Sequence, residues 1–322
     1  RSLCNSMVHL IDNAHRFVYI ENQYFCAGFC ENEDLDVATG DDFDAEESID
    51  GSELIKNSVG LAVERRITAA IKAGEPFKVV VVLPHLAWEG NSIQSAILGF
   101  QQATIRRLFG NLRRSFPDVV DWAEYLSFYN LRTYGITEKG AVMEEIYVHD
   151  KLMIVDDRIV LIGSANINDR SLLGHRDSEI GAVIHDVQTV DSKMDGKLWQ
   201  AGKFARKLRV RLWRECMGLG ELDEVLFDPI RGWKEFDRRA KKNRAVYERC
   251  WPETMYSDAI KSISPELSLG GNKFVVEESV LNDLREGVDG IVVSGAVGFL
   301  KEEDLRPEFG TKAYMLPSSF FI

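Results

Sequence analysis

The run Phe77-Lys-Val-Val-Val-Val-Leu83, halted by Pro84, is the feature that most limits what this chain can become. It is apolar without alternation, so as a strand it must be covered on both faces, which requires a layer on each side of a sheet. An aromatic and β-branched run, Phe17-Val-Tyr-Ile-Glu-Asn-Gln-Tyr-Phe25, precedes it, and Tyr125–Tyr134 follows as another strand. Helical spacing separates them. Leu3, Met7, Leu10, Ile11 and Ala14 predict a helix over Ser2–His15. Ser52 is read as the N-cap of a helix reaching Lys72 and closed by Gly74. Asn91 is read as the cap of a helix carrying Ile93, Ala96, Ile97, Phe100 and Leu108. Helix, strand, helix, strand, helix, strand argues for an α/β fold, a layered sheet flanked by helices.

The pattern changes at Ile146. Two strands, Ile146–Val155 and Arg158–Ser164, meet at Asp156-Asp157, with a third at Ala182–Ile184 and a basic helix from Asp195 to Trp213. Residues 1–190 are therefore read as one half-domain. Residues 191–322 are read as a less regular C-terminal extension packing on it, with a charged helical stretch and a last strand-like run at Gly290–Leu300.

The net charge of −12 comes almost wholly from one place. Between Glu31 and Glu53 stand eleven acidic residues and no lysine or arginine, in a polar, non-periodic stretch that reads as a solvated loop, 31–53. It lacks the alternating ligands and central glycine of an EF-hand. Basic residues gather at Lys203, Arg206, Lys207, Arg209, Arg211 and Arg214, and again from Arg231 to Arg249. Five cysteines, Cys4, Cys26, Cys30, Cys216 and Cys250, are too few and odd in number for a disulfide framework. Cys26 and Cys30 have no second pair with which to hold a metal. No apolar run reaches the roughly 18 residues of a membrane span. With no signal-peptide pattern, the expectation is a soluble, intracellular piece of a longer chain.

The chemistry concentrates in Tyr147-Val-His-Asp-Lys-Leu-Met-Ile-Val-Asp-Asp157 and Gly163-Ser-Ala-Asn-Ile-Asn-Asp-Arg-Ser171. On a strand His149 and Lys151 share a face, and Ser164 and Asn166 are also two apart at the end of the partner strand. Val148, Leu152, Ile154, Val160 and Ile162 are expected to fasten this patch to a core. An ammonium, an amide and a hydroxyl suit the oxygens of a phosphate ester, and an imidazole can attack phosphorus or protonate a leaving alcohol. Glu179 is placed to accept the other imidazole N–H. Lys and His supply the charge, so no metal or other cofactor is expected. Each residue also has an ordinary structural reading, as a satisfied strand histidine or a solvated lysine. Asp156, at the turn and on the other face, is expected to be structural.

His149-x-Lys151-x4-Asp156, followed by Gly-Ser-Ala-Asn-Ile-Asn-Asp-Arg-Ser, resembles the second His-Lys-Asp motif of eukaryotic phospholipase D. Tyr19-Ile-Glu-Asn-Gln-Tyr-Phe25 is similar to the opening of the C-terminal half of those enzymes. Leu173-Gly-His-Arg-Asp-Ser-Glu179, Met194-Asp-Gly-Lys197, Ala201-Gly-Lys-Phe-Ala205, Gly298–Leu305 and Gly310-Thr-Lys312 extend the likeness along the chain. The resemblance implies a phospholipase D-like half-domain with a catalytic set of His149, Lys151, Asp156 and Glu179. His149 would be general acid for departing choline and later base for water. Lys151 and Asn166 would bind phosphoryl oxygens, Ser164 would support them, and Glu179 would orient His149. Asp156 matches the motif's carboxylate and keeps its structural reading.

The family's phosphohistidine forms on a first motif, and this chain has a single His-x-Lys. The implied partners are a phospholipid membrane surface and either the first-motif half or a second copy of the chain. The implied place is cytoplasmic, peripheral on intracellular membranes. The alternatives are a single-motif homodimeric phosphodiesterase or nuclease, and an inactive relative. Nucleic acid is not favoured, because outside the acidic loop the chain is nearly neutral.

Overall fold

In a computed structural model, the valine run forms β2 (Lys78–Val82), buried at every residue. The structure describes residues 1–30, 54–84, 92–220, 223–251, 258, 274–298, 302 and 321. The acidic stretch 31–53, the caps expected at Ser52 and Asn91, the 85–90 loop and the tail beyond 298 lie outside the described residues, apart from 302 and 321. Lys78 is tolerated in a buried strand because its ammonium finds partners there. Nζ bonds Ser127 Oγ at 2.6 Å and the Ala123 carbonyl, and lies 3.5 Å from the centre of the Trp233 ring. Burial holds its pKa well below that of an ordinary lysine.

β1 (Phe17–Asn22) runs parallel to β2, and β2 runs parallel to β3 (Leu126–Thr137). β4 (Gly140–Glu145) folds back on β3. β5 (Lys151–Val155) pairs antiparallel with β1, then β6 (Ile159–Gly163) with β5 and β7 (Gly181–His185) with β6. β10 (Val292–Ser294) closes the other side against β3, giving the order β10-β3-β2-β1-β5-β6-β7. β8 (Thr189–Met194) and β9 (Lys197–Gly202) form a separate hairpin.

Helices cover both faces, as the valine run requires. On one side α1 (Ser2–Asp12), α2 (Val59–Ala73) and α3 (Ser92–Ser115) pack on Val18, Ile20, Val79, Val81, Met153 and Val155. On the other, α5 (Lys203–Met217) and α6 (Pro229–Cys250) pack Trp213, Trp233 and Phe236 on Phe17, Tyr19, Val80 and Tyr129. Short α4 (Asp169–Leu172) follows β6, and α7 (Glu278–Gly287) packs on the end of α6. Residues beyond 190 thus supply one whole layer and an edge strand.

Three expectations need correction. The helix expected from Asp195 begins at Lys203, because Asp195 and Gly196, both at positive φ, turn a hairpin held by Asp228, which accepts from both their N–H groups. The strand expected from Ile146 begins at Lys151: residues 146–150 instead carry the chain from β4 back across the sheet to β5. Val148, Leu152, Ile154 and Val160 join the core, whereas Ile162 is 44% exposed beside the β7 edge. No disulfide joins any of the five cysteines, all of which lie among the described residues.

Candidate active site

β1, β5 and β6 bring the functional side chains to one end of the sheet. Lys151 opens β5 directly opposite Asn22, the last residue of β1, and Gly163 closes β6 just before Ser164. Gly163 is required there. A β-carbon would lie 2.2 Å from the Ile180 carbonyl, so only glycine lets β6 and β7 close. That closeness lets Ser164 N–H donate to the Ile180 carbonyl at 2.9 Å and Ile180 N–H donate to Ser164 Oγ at 3.0 Å.

Lys151 is 8% exposed, and its ammonium donates to the His149 carbonyl at 2.5 Å and to Gln23 Oε1 at 3.2 Å. Two of its three donors therefore hold protein, leaving one for a ligand. Burial lowers its pKa, against the pull of Asp150 and Glu179, whose charges favour the ammonium. Gln23 also donates to Tyr147 Oη at 2.8 Å, and the Tyr147 ring lies 6.4 Å from that of His149. His149 itself is exposed. Its backbone carbonyl accepts from Lys151 while the residue as a whole is exposed.

Glu179 accepts from Ser171 Oγ at 2.6 Å and from Ser164 Oγ. Among the described residues no hydrogen bond joins it to His149, so the expected orienting contact is replaced by one that fixes Ser164. Asn166, two residues beyond Ser164, has its Oδ1 buried and without a hydrogen-bond partner. A polar atom held out of water in this way is completed by a ligand or by solvent.

Asp156 stands apart. Five residues at about 3.3 Å each put it some 16 Å from Lys151, at the opposite end of β5. It is 3% exposed and accepts from the N–H groups of His15, Arg16 and Phe17 at 2.6, 2.7 and 2.8 Å. Its inclusion in the catalytic set is corrected by this geometry: it clasps the entry to β1, as its turn position suggested.

Sequence reasoning passed over Gln23, Asn22, Glu21 and Asp150. Asn22 Oδ1 accepts from Ile167 N–H at 3.1 Å and so fixes the segment bearing Asn166. Glu21, buried beneath the site, accepts from Tyr19 Oη at 2.5 Å. The signal for Glu21, Asn22 and Gln23 was their place at or just past the end of a buried strand, where polar residues need a reason.

A family model described as phospholipase D matches residues 1–141 and 139–260. Phospholipase D zeta 1 of Arabidopsis thaliana is 37% identical over 97% of this chain and 30% of its own length. Phospholipase D1 of Mus musculus is 34% identical over 98% of this chain and 29% of its own length. This chain therefore spans about 30% of the relatives it matches. Among solved structures, the phospholipase D family member Nuc from Salmonella typhimurium is similar at 17% identity, with a TM-score of 0.29, over 63% of this chain and 80% of that one. The matched residues take in β1, the crossing segment with His149, and both layers of helices, and on that match the chain belongs to the phospholipase D family.

Proposed function

We propose that this chain supplies the His149 half of a centre that hydrolyses phosphatidylcholine to phosphatidic acid and choline, and transfers the phosphatidyl group to alcohols. The observation that carries this reading is that Lys151, Ser164 and Asn166 stand at the same sheet end as the exposed His149. In the proposed reaction, a histidine of the complementary half attacks phosphorus. As the phosphorus–oxygen bond to choline breaks, His149 gives its proton to the departing oxygen. His149 then takes a proton from water, the resulting hydroxide displaces the histidine, and phosphatidic acid leaves. Lys151 and Asn166 hold the phosphoryl oxygens throughout.

The complementary half is a first-motif segment or a second copy of this chain. β7, paired on one side only among the described residues, offers it an exposed edge with Ile180, Val183 and Ile162 nearby. The substrate places the protein at a membrane surface. No helix among the described residues is long and apolar enough to cross one, which accords with a peripheral, cytoplasmic placement on intracellular membranes. Binding to nucleic acid is less favoured. Arg209, counted among the basic helix residues, is fully buried against Asp157 and lost to any surface groove.

The test is turnover of phosphatidylcholine in mixed vesicles containing ethanol, following choline and phosphatidylethanol over a range of protein concentrations. Product that rises with the square of concentration and vanishes in His149→Ala supports a symmetric pair. Product that appears only when the first-motif half is supplied supports a split site. Product from His149→Ala equal to that of the unaltered chain overturns the assignment.

A further inference from the structure

At the turn end of the β5–β6 hairpin, away from His149, a cavity of about 350 Å³ opens between α1, β7 and the β8–β9 hairpin. Arg158, in the turn, and three histidines, His9, His15 and His185, line it, and the proposed reaction uses none of them. Arg158 is held in place. Its Cζ lies 3.8 Å from the centre of the Trp199 ring, and its Nε donates to the Gln200 carbonyl at 2.8 Å. Trp199 is itself anchored, its indole N–H donating to the Asp156 carbonyl at 2.8 Å. Stacking and the Nε bond fix the plane of the guanidinium, while among the described residues no carboxylate meets its two Nη atoms. The acids that line the cavity are turned elsewhere. Both oxygens of Asp156 accept backbone N–H groups, and Asp186 Oδ2 accepts from the N–H groups of Phe204 and Ala205 at 2.6 and 3.0 Å, at the start of α5. The imidazoles come from α1, from the link to β1 and from the end of β7. An amide nitrogen only donates, so His9 Nδ1, 3.3 Å from Asn13 Nδ2, accepts, and in the neutral ring the proton sits on Nε2 as a donor. The His15 ring stands edge-on to Trp199, with centres 6.1 Å apart. Among the described residues no three His, Cys, Asp or Glu side chains stand close enough to share a metal ion, so these histidines do not make a cation site.

We propose that this cavity is a second binding site, for a phosphate monoester: Arg158 holds the phosphate through its Nη fork, and His9, His15 and His185 donate to the remaining oxygens. A planar carboxylate offers such a set two oxygens in one plane. A phosphate monoester offers three, in a pyramid, with up to two charges, and so meets donors that arrive from separate elements. Asp156, which lines the cavity, stands some 16 Å along β5 from Lys151, so the phosphate bound here is not the one that reacts. The site is independent of the function proposed above. The same chemical group ends a soluble glycerol or sugar phosphate and the lipid phosphatidic acid, and the test separates the two.

The probe is glycerol 3-phosphate, followed through the histidine ring resonances of the unaltered chain. Those of His9, His15 and His185 should shift together and saturate by about 1 mM. The probe can also enter the His149 end, so shifts confined to His149 overturn the proposal, as does a titration that fails to saturate. Acetate should bind about tenfold more weakly or worse; equal affinity overturns the choice of a phosphate monoester. Arg158→Lys keeps the charge and loses the fork, and should weaken binding about tenfold. His185→Gln, at an exposed position, should weaken it severalfold with the fold intact, and so decides the matter if the arginine variant does not fold. Unchanged affinity in His185→Gln and in a folded Arg158→Lys overturns the site. Vesicles of phosphatidylglycerol, with and without phosphatidic acid, identify the source. Shifts at the same three histidines only when phosphatidic acid is present support the site and put a lipid headgroup in it. Shifts with the soluble probe alone support the site and assign it to a free phosphate ester.

Discussion

The β5–β6 hairpin has two ends that share a backbone ladder and differ in almost everything else. At the turn, Asp156 and Asp157 are buried at positive φ, and each carboxylate is fully occupied. Asp156 takes three N–H groups, and Asp157 takes a bidentate Arg209 at 3.0 and 2.6 Å, while Arg209 Nη1 donates to the Leu226 carbonyl. At the other end His149 and Ser164 are exposed, Lys151 keeps a donor in reserve, and Asn166 Oδ1 has no partner. Stability is concentrated where polar groups are satisfied, and chemistry where they are not. The same ladder of four residue pairs lets the first end fix the second in place.

The contrast can be broken most forcefully at Arg209. Arg209→Met leaves Asp157 charged and buried without a partner, and chemical denaturation should show a loss of about 3–5 kcal/mol. A loss under about 1 kcal/mol would show that water reaches this end and that the two ends are not so different. Next comes Asp156→Ala, which strands three N–H groups at the start of β1; about 3 kcal/mol should go, with site residues unchanged in sequence. Because β1 carries Asn22 and Gln23 to the site, activity in assembled enzyme should fall alongside stability. The smallest effect on stability belongs to His149→Ala, within about 0.5 kcal/mol, in a protein that has nonetheless lost turnover. Equal denaturation midpoints with unequal rates would sharpen the division; a large stability loss in His149→Ala would erase it.

The sheet was legible because fully buried strands advertise themselves as apolar runs, and the Asp156-Asp157 turn because two acids between such runs have few other uses. Counting by twos assumed a strand through His149, but β5 begins at Lys151, so alternation does not govern where His149 points. What escaped was whatever depends on which strands become neighbours. Gln23 meets Lys151 only because β1 pairs with β5 in the register that sets Asn22 against Lys151, and nothing local to either segment encodes that. Glu179 illustrates the converse. Its chemistry suited His149, but the close approach at Gly163 delivered Ser164 to it instead. The β8–β9 hairpin was a missed signal. Asp195-Gly196 is among the strongest of turn dipeptides, and the helical spacing beyond Lys203 was extended back over it.

The pairing of β10 with β3 also sets an order of events during synthesis. Leu131 waits for Val292 as its neighbour, so a nascent chain that has already laid down every other described strand of the sheet still carries an open edge at β3. An unpaired edge invites a strand from another chain. Until the ribosome has released residues 292–294, the emerging protein is therefore open to mispairing along β3, far in sequence from the residues that will cure it.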